Sequence, residues 1–150
     1  MREAVIVASV RTPGGRAKRG GLRDTRADVL ARTAVKGALA QVPQVTPEMI
    51  DDLIFGCSFP EAEQGLNIGR VIVRHSGLPD EVPGYVINRF CSSGLQAIAL
   101  AAQNIMCGWN DIVIAGGVEA MSRVPMGGFI NRPDPDWTDE YRPAVLGAPH

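Results

Sequence analysis

Residues 4–10, AVIVASV, form an unbroken β-branched apolar run, the pattern of a strand buried on both faces. The Gly-rich stretch RTPGGRAKRGGLRDT follows and reads as a loop. Ala27, Leu30, Ala31, Ala34 and Ala38 then recur at helical spacing, which predicts an amphipathic helix over residues 25–41 capped by Asp24 or Thr25. Thr46, Pro47 and Glu48 mark a short helical turn. DLIFGC (52–57) is a second apolar run of strand length, and LNIGRVIVRH (66–75) a second helix stopped by Ser76-Gly77 and Pro79. GYVIN (84–88) is a third strand, and the segment from Ser92 to Cys107 a helix ended by Gly108. DIVIAGG (111–117) completes the series as a fourth strand.

Strands alternating with helices predict an α/β domain with a mostly parallel sheet and right-handed crossovers. From Met121 the pattern fails: apolar periodicity disappears, and five of the eleven prolines lie between Pro125 and Pro149. A stretch of that kind suits a functional excursion or a cut end better than the interior of a compact domain. No internal repeat or low-complexity tract is present.

The helix over 91–107 has no charged residue. Ser92, Ser93, Gln96, Gln103 and Asn104 make it too short and too polar for a lipid span, so it belongs inside protein. Its outer face calls for a covering layer from further sequence, a partner subunit or both. Together with the tail, this predicts the N-terminal part of a longer enzyme.

Composition narrows the classes. The chain is 45% hydrophobic and 21% charged with a net charge of −1, enough for one globular domain with a core. It has no basic footprint for nucleic acid or for a membrane surface, because its one basic run, RAKRGGLR, fits a solvated loop. Cysteines at 57, 91 and 107 lack the spacing of a zinc site or a disulfide framework, which favours a reducing, cytoplasmic setting. The N-terminal apolar run is too brief for a secretory signal. RTPGGRAKRGGL lacks the GK[ST] of a phosphate loop, AGGVEAMS lacks GxGxxG, and no GxSxG elbow occurs.

Cys91 falls where the third strand hands over to the charge-free helix. Unpaired N–H groups and the positive end of the helix dipole favour a thiolate there. Gly94, beside small serines, leaves room for a substrate to approach the backbone. The position suits a nucleophile whose own N–H serves as an oxyanion donor; a buried cysteine filling space is the competing reading. Cys57, at a strand end, reads as core. Cys107 lies about 24 Å along the helix from Cys91, too far to cooperate. His75 is placed for helix capping, and His150 has no context. Glu119 fits a carboxylate hydrogen-bonded to loop backbone better than a general base.

NRFCSSGLQAIALAAQNI followed by AGGVEAMSRVP resembles the nucleophile helix and next strand of the thiolases. RTPGGRAKRGGLRD is similar to their N-terminal loop, and GLNIGR before RHSGLP to the helix preceding their third strand. The likeness runs from the first strand to about Pro125, and its paired NxxCxSG and GGxExMS signatures are specific. CSSGLQA leans toward degradative 3-ketoacyl-CoA thiolases over acetoacetyl-CoA synthesisers. The β-ketoacyl synthases share the strand-to-cysteine-helix arrangement but fit NRFCSSG and GGVEAMS less well.

The resemblance implies a layered βαβαβαββ half with a mixed, mostly parallel sheet and a buried nucleophile helix. Residues 1–120 then form an N-terminal thiolase domain lacking its closing strand, residues 121–150 begin an insertion loop, and the C-terminal domain lies outside this chain. Cys91 becomes the acyl-accepting nucleophile, with Asn88, Ser92 and Gly94 supporting its turn. Substrates are acyl-CoA and CoA, with no bound cofactor and no metal. A homodimer or homotetramer is implied, with no nucleic acid or membrane partner. The activating histidine, the second cysteine and the oxyanion Asn and His come from the C-terminal half, so the chain alone is expected to be inactive. The alternatives are a catalytically silent, truncated thiolase-like interaction module and an acetoacetyl-CoA-forming thiolase.

Overall fold

A computed structural model describes residues 2–130. Its regular elements are α1 (Ala27–Gln41), β1 (Asp52–Gly56), α2 (Ile68–Ser76), β2 (Gly84–Ile87), α3 (Ser93–Cys107) and β3 (Val113–Gly117). Short 3-10 turns stand at Pro47–Met49 and Ala62–Gln64. The second of these was not anticipated from the sequence.

The three strands form one parallel sheet in the order β2-β1-β3, with Leu53 opposite Gly84 and Ile114 and Gly56 opposite Ile87 and Gly117. Central β1 is the most buried strand, and Leu53 and Ile54 are fully buried because side chains on both of its faces enter cores. One face packs Leu53 and Phe55 against Ala31 and Val35 of α1 and Ile68, Ile72 and Val73 of α2. The other packs Ile54 against Ala97 and Ala101 of α3. Among the described residues β2 lies at one edge of the sheet.

Close approach rests on glycine at two places. A Cβ on Gly69 would lie 2.4 Å from the Tyr85 carbonyl oxygen, so α2 can lie directly on β2. A Cβ on Gly56 would lie 2.4 Å from the Ser93 carbonyl carbon, so the first turn of α3 sits on the end of β1. Both helices stop at left-handed glycines, α2 at Gly77 (φ 80°) and α3 at Gly108 (φ 79°).

Two expectations fail. Residues 4–10 form no strand, and Val5, Ile6 and Val7 are 67%, 75% and 65% exposed. The physical reason is that, among the described residues, no strand pairs with the segment. A cavity of about 880 Å³ is lined by residues 4–17, by β3, by Leu30, Ala34 and Ala38 of α1 and by Ile98, Ala102 and Ile105 of α3. The segment is tethered instead by side chains: Gln41 Oε1 accepts from Ser9 N at 3.1 Å, and Arg2 pairs with Asp111. The cap of α1 also differs. Arg26 occupies the N-cap position and makes no side-chain cap bond, its guanidinium reaching Asp28 at 2.9 Å instead.

The outer side of α3 is open, with Leu95 at 71% and Ile98 at 43% exposure, as its lack of a charged face predicted for a helix needing further cover. Among the described residues no helix is long and apolar enough to cross a membrane. Of the expected loop 121–150, only the part to Ile130 lies within the described residues, and His150 lies outside them.

Candidate active site

The β2 strand ends at Ile87, and Asn88 to Ser92 make the turn into α3. Side chains build that turn. Asn88 Oδ1 accepts from Phe90 N at 2.9 Å, and Asn88 Nδ2 donates to the Ser58 carbonyl at 2.9 Å. Ser92 Oγ donates to the Arg89 carbonyl at 2.8 Å. Ser93 Oγ accepts from Arg89 N at 2.8 Å and donates to the Phe90 carbonyl at 2.5 Å. Ser93 is 3% exposed and escaped the sequence reading, which singled out its neighbour Ser92. A serine at the first helical position with room to fold back on the preceding turn is the signal that was available.

Phe90 adopts φ 49°, in the left-handed region that a bulky residue enters only under constraint. That kink presents the next residue, Cys91, to solvent beside the N-terminus of α3. Within this chain Cys91 therefore fills no core space. Gly94 lies in the first turn of the helix, where a Cβ would meet nothing within 4 Å, leaving open space next to the thiol-bearing turn. On its other side the Gly94 Cα lies close to Gly117, at 3.3 Å from where a Cβ on that residue would sit. The glycines of DLIFGC and IAGGVE thus seat the helix, a role that their strand pattern did not disclose.

The other titratable residues sit elsewhere. Cys57 is buried at the end of β1, and burial, then the nearby Glu119 carboxylate, pushes its thiol up to about 12. Its Sγ lies 3.7 Å from Glu119 Oε1. Glu119 accepts from Ser58 N at 2.7 Å, Phe59 N at 3.4 Å and Gln64 Nε2 at 2.9 Å, which makes it the loop-binding carboxylate expected. His75 is in the last turn of α2, its Nε2 3.1 Å from the Arg32 guanidinium and its Nδ1 3.1 Å from Asp28. Because guanidinium only donates, Nε2 is the acceptor toward Arg32, while the buried Nδ1 lies on the Asp28 side without hydrogen-bond geometry. Cys107 is exposed at the far end of α3.

A thiol at a helix N-terminus on a side-chain-braced turn can serve acyl transfer, and the chain as a whole is similar to known proteins. Residues 4–141 match the family model described as "Thiolase, N-terminal domain". A 3-ketoacyl-CoA thiolase from Bacillus subtilis is 53% identical over 134 residues, covering 89% of this chain and 34% of that relative. Another from Saccharophagus degradans is 42% identical with the same coverage. Among solved structures, the crystal structure of the Bacillus anthracis acetyl-CoA acetyltransferase superposes with a TM-score of 0.76 at 39% identity. That match covers 81% of this chain and 30% of the other. The chain spans about a third of the length of the curated relatives it matches.

Proposed function

Because the chain belongs to the thiolase family, matching its N-terminal domain, we propose that it carries the nucleophile half of a thiolytic acyltransferase acting on 3-ketoacyl-CoA. Cys91 attacks the 3-keto carbonyl as a thiolate, and the carbon–carbon bond between C2 and C3 breaks. Acetyl-CoA leaves as its enolate and takes a proton, while the shortened acyl group stays on sulfur as a thioester. Free CoA then attacks that thioester, releasing acyl-CoA and restoring Cys91. Condensation to a 3-ketoacyl-CoA runs the same steps backwards. The observation that carries this reading is the exposed Cys91 thiol on a braced turn at the N-terminus of α3.

The base for the thiol, the acid–base group for the acetyl-CoA carbon and the oxyanion pocket come, in this reading, from a C-terminal half. The 150-residue chain alone then turns nothing over. The cavity beside β3 takes the closing strand, which gives residues 4–10 their ladder. CoA thioesters are substrates, and no resident cofactor or metal is required. Free thiols at 57, 91 and 107 suit the cytoplasm.

Assembly belongs to the same reading. The edge position of β2 and the apolar outer face of α3 suit a homodimer or homotetramer, since a free apolar edge invites uncontrolled association. Sedimentation of the full-length protein is expected to show a dimer or a dimer of dimers, and a stable monomer contradicts this.

The competing reading, a catalytically silent interaction module, uses the same open face. Turnover decides between them: the full-length protein cleaves 3-ketoacyl-CoA with CoA, and Cys91→Ser lowers kcat by about 10³-fold or more. Activity within about tenfold of wild type removes Cys91 from the nucleophile role.

A further inference from the structure

Glu119 lies just past β3, yet its hydrogen bonds lead to the turn that carries Cys91. Its two oxygens take the Ser58 and Phe59 amides and the Gln64 side chain. Gln64 is fully buried with its polar atoms satisfied: Nε2 also donates to the Phe59 carbonyl at 2.8 Å, and Oε1 accepts from Ala120 N at 2.7 Å. The loop Cys57–Phe59 is therefore held by both of its later amides and by the Phe59 carbonyl. Its Ser58 carbonyl is left to receive Asn88 Nδ2 at 2.9 Å, and the same Asn88 side chain accepts from Phe90 N at 2.9 Å.

The path runs without a break from the Glu119 carboxylate through Ser58 and Asn88 to Phe90, the left-handed residue that aims Cys91. Ala62, Leu66 and Asn67, around Gln64, are also left-handed non-glycine residues. Strained backbone thus gathers at both ends of the path, and persists only where surrounding bonds over-determine it. Bonds from N–H groups to a carboxylate are among the stronger ones available for that purpose.

We infer that Glu119, supported by Gln64, is a positioning residue for Cys91, fixing the nucleophile turn through the Ser58 carbonyl and Asn88. It touches no substrate. This inference rests on the reading of Cys91 as the nucleophile.

The test uses the full-length protein. Glu119→Gln keeps the shape but replaces one acceptor oxygen with a donor facing N–H groups. The expected result is a kcat lower by about ten- to a hundredfold with KM nearly unchanged, because a misaimed nucleophile harms the reacting geometry and not substrate binding. Iodoacetamide labelling supplies the second readout: Cys91 slows relative to exposed Cys107 by a comparable factor. A merely structural role would instead open buried Cys57 to the reagent and leave the Cys91 to Cys107 ratio alone. Asn88→Ala cuts the path downstream, so the double variant is expected to be no worse than the more damaged single one; effects that multiply overturn the inference. If Glu119→Gln fails to fold, Glu119→Asp, which keeps the charge and retracts it by one carbon, takes its place in the same cycle. Wild-type kcat and labelling ratio in Glu119→Gln, beside a dead Cys91→Ser, refute the positioning role alone. An active Cys91→Ser refutes the nucleophile reading and this inference with it.

Discussion

Two cysteines follow the C-terminal ends of adjacent parallel strands, Cys57 after β1 and Cys91 after β2. Their surroundings make them opposites. Cys57 is buried, faces the Glu119 carboxylate and has its thiol pushed up to about 12, so it stays protonated and inert. Cys91 is exposed, lies two residues before α3 begins at Ser93 and stands on a turn braced by Asn88, Ser92 and Ser93. Adjacent strand ends therefore do not confer reactivity. The neighbours decide it: a carboxylate and burial disarm Cys57, while Cys91 is left open to solvent, as the proposed nucleophile role requires.

The sharpest way to break this contrast is to disturb the seat of the helix. Gly56→Ala places a Cβ 2.4 Å from the Ser93 carbonyl carbon and 2.5 Å from Gly94 N, both backbone atoms with no rotamer to yield. The helix must lift. The expected cost is about 3 kcal/mol, with a collapse of kcat, read by denaturant unfolding and by turnover. A variant with wild-type stability would mean that α3 is not seated on β1. Gly94→Ala, whose Cβ enters open space, tests the other side of the same turn. Stability is expected to rise by about 0.5–1 kcal/mol while activity falls, since the methyl group occupies the approach to Cys91. Unchanged activity would show that substrate does not use that space.

A smaller effect concerns Cys57 and pH. Its folded-state thiol titrates at about 12, above the ordinary value of 9.0. Between those values the unfolded chain gives up this proton and the folded chain keeps it. The associated stability is thus complete below the ordinary value and is lost as pH rises toward the folded one. Urea midpoints at about pH 8 and about pH 10 are expected to differ less in Cys57→Ala than in wild type. Equal differences would mean that Cys57 is not shielded. The smallest effect belongs to Cys107→Ser, expected to change stability by under about 0.5 kcal/mol and turnover not at all, because that exposed thiol closes the far end of α3. A loss of turnover would extend the site beyond the strand ends.

Much of this was legible in the sequence because punctuation and period agree. Gly77 and Pro79 end α2, Gly108 ends α3, and DLIFGC, GYVIN and DIVIAGG lie where β1, β2 and β3 form. AVIVASV shows the limit. An apolar β-branched run records that a segment can be buried in a sheet, but a strand needs a partner, and beside residues 4–10 lies a cavity. The candidate site divides in the same way. The exposed thiol turn at Cys91 follows from a local strand-to-helix boundary. Gln64, Ser93 and the seating glycines act through contacts between segments distant in the chain, for which no local period exists. Glu119 was recognisable as a loop-binding carboxylate, but its link to Asn88 was not, since it passes through the backbone of Ser58.

The central claim is that Cys91 takes the acyl group, and trapping that acyl group tests it most directly. The full-length protein is mixed with a 3-ketoacyl-CoA in the absence of free CoA, quenched in acid, digested and mapped by mass spectrometry. The account predicts the shortened acyl group on the peptide containing Cys91, and its removal when CoA is added before the quench. An acyl group on Cys57 or Cys107, or acetyl-CoA released with no acylated cysteine at all, would contradict it.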